Sequence, residues 1–274
     1  MTTITLDLDR GPAAPGVPER FGPRLALRHA AAIARRNLKH MIRTPIALFF
    51  VAFQPVMLVL LFNYVFGGAI KAIGVRYIEY LVPGVLVQVL TFTSSFTGMG
   101  FVQDLKSGAL DRFRSLPVAR SAMVTGRVMT DTLRMTFTTL IVVAVGATIG
   151  FRFEAGLVPA LGAVLLAVAF GWAMSWIGLS IGLALRDSEA VQASSFVWSF
   201  PLVFASSSYV SAATMPGWLQ AFVKANPVSV VANAIRTLIL GGPTTTHVLE
   251  ALAWIAVIAL VFSTLTVRQY RRLS

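Results

Sequence analysis

The sequence predicts an all-α, polytopic membrane protein with six transmembrane helices. Hydrophobic residues make up 56% of the 274 and charged residues only 12%, where a soluble domain carries about 25% charged. The mean hydropathy is +0.76. The charges are bunched, and the apolar runs between them are about 20 residues long, the length that crosses a bilayer as a helix. A soluble helical bundle would instead show amphipathic stripes.

Residues 1–24 are rich in Pro and Gly and lack an apolar segment, and Asp7 and Asp9 stand where a signal peptide would be basic. They read as a disordered cytosolic tail. The transmembrane domain is expected over 25–274. It opens on "LALRHAAAIARRNLKHMIR", 25–43, a basic amphipathic helix with Arg28, Arg35, Lys39 and Arg43 near one face and Ala30, Ile33, Leu38 and Met41 near the other. Such a helix lies in the headgroup plane of an anionic leaflet; it also serves as the positive flank of the span that follows.

Six spans come next, at about 45–66, 79–101, 121–149, 157–185, 190–210 and 247–267. Pro45 stands at a tolerated first-turn position. With the N-terminus inside, the cytosolic side holds 18 of the 23 Lys and Arg residues: eight through Arg43, six from Lys106 to Arg134, then Arg186, Arg268, Arg271 and Arg272. That bias places both termini in the cytosol. It also accounts for the net charge of +12 without nucleic acid.

The third span is over-long. A helix from Ser121 to Ile149 measures roughly 43 Å at 1.5 Å per residue, against a hydrocarbon core of about 30 Å. Arg134 at mid-bilayer would cost about 3 kcal/mol on insertion scales, so Asp131 and Arg134 are expected near the inner headgroups, with Arg127 beyond them. Arg127 and Asp131 are i, i+4 neighbours and can pair. Residues 211–246 are too apolar for a solvated loop, yet "PVSVVANAIRTLIL", 227–240, is too short to span. It reads as a re-entrant or interfacial helix on the outer face. Trp218 and the Asn226–Pro227 pair predict a short preceding helix and a sharp turn.

The chemistry-bearing signals are few. With no cysteine, disulfides, thiol catalysis and Cys-type zinc sites are excluded. His29, His40 and His247 have no partner at metal-ligand spacing, so no metal site is expected. None of the four lysines (39, 71, 106 and 224) follows a glycine, so the phosphate-binding loop G-x-x-x-x-G-K-[ST] is absent. Glu79, Asp104, Asp131, Asp187, Glu189 and Glu250 all fall at predicted span ends. That disfavours an ion-coupled transporter, which buries carboxylates near the midplane. No residues converge as a hydrolase requires, and no catalytic site is expected.

Milder polar residues line single faces. Gln88, Thr91 and Ser95 share one face of the second span; Gln192, Ser195 and Ser199 share one face of the fifth. They could line a path for an amphiphilic substrate or serve as interhelical hydrogen bonds. In the fourth span, Ala163, Ala167, Gly171, Ser175, Gly178 and Gly182 form a close-packing face, within a subunit or between two.

The charged island 104–120, "DLKSGALDRFRSLPVAR", lies between spans two and three. Leu110 and Phe113 are i, i+3 neighbours flanked by Arg112 and Arg114, and Pro117 ends the helix. A short helix with an apolar ridge and charged sides suits docking in a groove of another protein; an ordinary cytosolic loop is the plainer alternative.

The island resembles the coupling region of type-two ABC transporter permeases, the daunorubicin-resistance exporter group in particular. Gly108, Leu110, Asp111, Arg112, Pro117 and Arg120 match that pattern, while Ala109 and Phe113 replace the usual Thr and Leu. "NPVSVVANAIRTLILGG", 226–242, is similar to a second family stretch. Asn226, Pro227, Ala234, Arg236, Gly241 and Gly242 match, and Asn233 stands where an acidic residue is common. The resemblance covers about 25–270. It implies a basic elbow helix, six spans, outer re-entrant helices and a dimeric permease in the plasma (inner) membrane of a prokaryote. It also implies a partner ABC ATPase that holds ATP and Mg, grips the coupling segment, and leaves this chain without a cofactor. The expected cargo is a lipophilic drug, antibiotic or lipid. A lipid-linked polysaccharide is the alternative within the family, and a secondary transporter or channel working alone is the alternative outside it.

Overall fold

The computed structural model describes residues 45–67, 75–106 and 121–271. The expected tail 1–24, the elbow helix 25–43 and most of the coupling island, 107–120, lie outside the described residues. Within them the chain is all-helical. In order the helices are α1 (Pro45–Leu61), α2 (Tyr77–Lys106), α3 (Ser121–Thr148), α4 (Leu157–Leu185), α5 (Ser188–Phe204), α6 (Gly217–Ala225), α7 (Pro227–Leu240) and α8 (Thr244–Arg271). A π-turn, Phe62–Phe66, continues α1 to the expected end of the first span.

Four of these helices, α2, α3, α4 and α8, are long and apolar enough to cross a membrane. α2 runs for 30 residues, about 45 Å, and so outreaches a hydrocarbon core. α5 departs from expectation. It has 17 residues and stops at Phe204, six short of the predicted end of the fifth span. Ala205–Ser208 leave the helix because their backbone is captured by groups from elsewhere in the chain, as described below.

α2 is buried on every side through its first half, chiefly by apolar residues: Leu81, Val82, Val85, Val87 and Leu90 are all essentially inaccessible. It packs chiefly on α4, and α7 fills the space between α2, α4 and α8. Burial of apolar surface does not drive this packing inside a membrane, because lipid tails are as apolar as leucine; close contact does. The small-residue face of α4 supplies it. A Cβ at Gly178 would lie 2.3 Å from the Ser94 carbonyl oxygen, one at Gly98 would lie 2.0 Å from that of Gly178, and one at Gly182 would lie 2.7 Å from that of Gly98. Backbone touches backbone, leaving no side chain free to yield. The close-packing face thus works within the chain, which settles the choice left open by the sequence.

Helix ends follow local chemistry. Asp187 caps α5, its carboxylate accepting from the backbone N–H of Glu189 and Ala190. Asn226 caps α7 by accepting from Val228 N–H, with Pro227 in the first turn, where its missing N–H costs no hydrogen bond.

Candidate functional site

Two polar clusters stand at opposite ends of α2. The first surrounds Arg236 of α7, beside the start of α2. Its guanidinium donates from Nε to the Tyr80 carbonyl at 3.0 Å, from Nη1 to Asn233 Oδ1 at 2.8 Å, and from Nη2 to the carbonyls of Ser207 and Ser208 at 2.9 and 3.0 Å. It lies over the Tyr80 ring, 3.5 Å from the centroid. The Tyr80 hydroxyl also donates to Ser207 O, at 2.8 Å. From the other end of α7, Asn226 Nδ2 donates to the carbonyls of Leu202 and Ala205 at 2.7 and 2.8 Å, and Ser229 Oγ accepts from Ser207 N–H at 2.9 Å. Asn226 and Arg236 thus occupy the acceptors at the end of α5 and let the chain unwind. Gly84 gives the unwound turn its room, since a Cβ there would sit 1.8 Å from Ser208 O. Asn233, in the place where the family pattern has an acid, binds Arg236 as a neutral acceptor.

The second cluster lies where α2 ends and α3 begins. Arg127 of α3 reaches Asp104 of α2 (Nη1 to Oδ2, 3.3 Å) and its own i+4 neighbour Asp131 (Nε to Oδ2, 3.1 Å). The predicted Arg127–Asp131 pair is therefore present. Asp131 Oδ1 also takes Arg134 at 3.0 Å, and Arg134 Nη2 donates to the Thr93 carbonyl of α2 at 3.3 Å. Two carboxylates thus offset two guanidiniums. Lys106 meets Asp187 at 3.0 Å, joining the end of α2 to the α4–α5 turn. The Ala190 N–H, then Lys106, hold the Asp187 carboxyl below its ordinary value.

The coupling residues Gly108, Leu110, Asp111, Arg112, Phe113, Arg114 and Pro117 lie outside the described residues; the second cluster flanks both ends of that stretch. The polar-path residues are placed unevenly. Gln88, Thr91 and Ser95 are buried in α2, and Ser195 and Ser199 lie on the buried face of α5, which packs mainly on α2. Gln192 is exposed and does not join them. Thr91, Ser195 and Ser199 donate to carbonyls of their own helices. Gln88 Oε1 and Ser95 Oγ have no hydrogen-bond partner among the described residues. No group of His, Asp or Glu able to hold a metal occurs among those residues.

Sequence reasoning missed Asp104 and Gly100 as partners of Arg127, Tyr80, Ser207 and Ser208 as partners of the α7 motif, and Gly84 as the neighbour of Ser208. Each pairing joins helices distant in sequence, and periodicity within a helix carries no trace of it.

The chain matches the ABC-2 type transporter family over residues 28–240. It is 36% identical over 227 residues to the daunorubicin resistance ABC transporter permease protein DrrB1 of Streptomyces coeruleorubidus, covering 83% of this chain and 80% of the relative. It is 29% identical over 194 residues to the probable doxorubicin resistance ABC transporter permease protein DrrC of Mycobacterium tuberculosis, covering 71% and 70%. A match to ABC transporter G family member 20 of Dictyostelium discoideum, 28% identical, covers 61% of this chain and 23% of that relative. The chain belongs to the ABC-2 type transporter family of membrane proteins.

Proposed function

We propose that this chain is the membrane-spanning permease subunit of an ATP-driven exporter in a prokaryotic plasma membrane, moving a lipophilic drug, antibiotic or lipid outward. Similarity to a daunorubicin resistance permease across 83% of the chain carries this reading. In this reading ATP and Mg are held by a separate ATPase subunit, in keeping with the lack of a phosphate-binding loop in the sequence. In this reading that subunit docks on 104–120, six spans place both termini in the cytosol, and two permease copies, or this chain and a homologue, form the transport unit.

The fold supports the division of labour. α2 and α4 are in backbone contact, so displacement of α2 at its 106 end carries α4 with it. The buried polar residues Gln88, Thr91 and Ser95 lie along the same α2, and Ser195 and Ser199 lie on the α5 face packed against it. In this reading Gln88 and Ser95 offer unpaired polar groups to an amphiphilic cargo.

The test is reconstitution in liposomes with the ATPase that co-purifies, using daunorubicin as the probe. Uptake is expected to need ATP and to vanish when the partner's phosphate-loop lysine is replaced. Uptake that survives without any ATPase would instead establish a secondary transporter or channel. Phe113→Asp is expected to keep expression and insertion but lose ATPase recovery, because a carboxylate buried unpaired at an interface costs several kcal/mol. Normal recovery and export by that variant would reduce 107–120 to a loop.

A further inference from the structure

α2 ends at Lys106 and α3 begins at Ser121, so these two helices flank the 107–120 stretch. A push on it dissipates if the two helices at its ends slide past one another. Here they are tied. Arg127 spans from α3 to Asp104 of α2 while its Nε holds Asp131. Asp131 positions Arg134, and Arg134 reaches back to α2 at Thr93. The two crossings meet α2 eleven residues apart, about 16 Å along its axis. Two separated ties resist both sliding and splaying, where one would act as a pivot.

A second observation shows that α2 is shaped for this contact. A Cβ at Gly100 would fall 1.9 Å from Arg127 Nη2 and 2.5 Å from its Cζ. The guanidinium therefore lies against the bare backbone of α2. The Arg127 side chain is 18% exposed and that of Asp131 3%, so solvent screens the pair less than it screens a surface ion pair.

We propose that Arg127 is a positioning residue for energy coupling: seated on Gly100 and bound to Asp104 and Asp131, it locks α2 and α3 into one unit, so that movement of the 107–120 connection shifts both helices together. This rests on the reading of 104–120 as the ATPase-docking segment.

The experiment uses the full chain with its co-purifying ATPase in proteoliposomes, and reads daunorubicin moved per ATP hydrolysed. Arg127→Met is expected to retain ATPase recovery and hydrolysis but to lower that ratio by about tenfold or more. Gly100→Leu keeps all four charges and fills the slot. Because the obstructed group is the flexible end of Arg127, the helix itself can stand while the guanidinium is displaced. The same loss of ratio is expected, with Gly100→Ala in between. In Asp104→Cys/Arg127→Cys, bridging with a short bifunctional maleimide should restore the ratio, since the chain has no other cysteine. A wild-type ratio in Gly100→Leu, or a bridged double variant that stays uncoupled, overturns the proposal. If the wild-type chain recovers no ATPase, the docking reading itself fails, and that result is distinguishable from failure of the tie.

Discussion

Replacing Arg236 by methionine removes the guanidinium that holds the junction between α5 and α6. Four acceptors lose a donor: the carbonyls of Tyr80, Ser207 and Ser208, and Asn233 Oδ1. The loss is uneven. Ser207 O keeps the Tyr80 hydroxyl, and Asn233 Oδ1 keeps a longer contact from Ser207 Oγ at 3.4 Å. Ser208 O loses the donor that the structure gives it, and a buried acceptor left unpaired costs about 1–3 kcal/mol. The cation–π contact with Tyr80 contributes about 1–2 kcal/mol more when desolvated. Part returns, because the variant no longer holds a buried charge. A net loss of about 3 kcal/mol is expected, which at about 2–4 °C per kcal/mol lowers the melting temperature by about 6–12 °C. Heating detergent-solubilised protein and following the monodisperse peak by size exclusion measures this. Arg236→Lys should fall nearly as far, because a point charge on a flexible stem cannot reach carbonyls on α2 and on the α5–α6 junction together. If both variants melt within about 2 °C of wild type, the junction is held by other groups and the cluster is incidental.

Gly178→Val should abolish the monodisperse peak, since its Cβ would collide with the Ser94 backbone at 2.3 Å, whereas Gly162→Ala, with nothing nearer than 3.8 Å, should leave it intact. Asp187→Ala should lower the melting temperature at pH 6–8. The folded-state carboxyl is depressed by the Ala190 N–H and then by Lys106, so its contribution is present above the ordinary value of about 3.9 and is lost as pH falls through the lower folded value. The gap between variant and wild type should therefore close in acid; a constant gap would assign the effect to something other than the ionised cap. A cysteine at Ser188 should resist an impermeant thiol reagent in intact cells while one at Thr245 reacts, and the reverse pattern would invert the assigned topology.

The helices were legible where the apolar run itself set their limits. The expected fourth span, 157–185, matches α4, and the third, 121–149, differs from α3 by one residue. The fifth misled because "VFASSSYV" is apolar enough to extend a span, and nothing local marks Ala205–Ser208 as unwound. The carbonyls there are drawn out by Asn226 and Arg236, more than twenty residues onward, so the end of the helix is a tertiary decision. The same holds for the charges. Arg127 and Asp131 could be paired from i, i+4 spacing, whereas Asp104 is 23 residues from Arg127 and on another helix. Gln192 shares the spacing of Ser195 and Ser199 yet faces outward, because spacing alone does not distinguish the two edges of a mildly polar stripe.

The two clusters hold α2 by bonds of different kinds, and that difference bears on how the helix could move. At its first turn α2 is bound through Arg236 to carbonyls and to the Tyr80 ring, and the short helix α7 wedges it against α4 and α8. Those acceptors are backbone, so they cannot rotate away, and breaking the contact exposes unpaired carbonyls in a buried place. At its last turns α2 is held by side chain to side chain: Arg127 to Asp104, Lys106 to Asp187. Of these, Lys106–Asp187 is half-exposed and costs little to part and re-form, whereas Arg127 is largely shielded and stays seated between Asp104 and Asp131. Between the ends, the Gly98–Gly178–Gly182 contact fixes α2 on α4 without a polar bond. A helix anchored by its backbone at one end, in contact along its middle and tied by side-chain charges at the other transmits a displacement applied at the charged end and keeps its seat at the other. The polar residues Gln88, Thr91 and Ser95 lie between the anchor and the Gly98 contact, on the stretch where such a tilt would alter the spacing to α5.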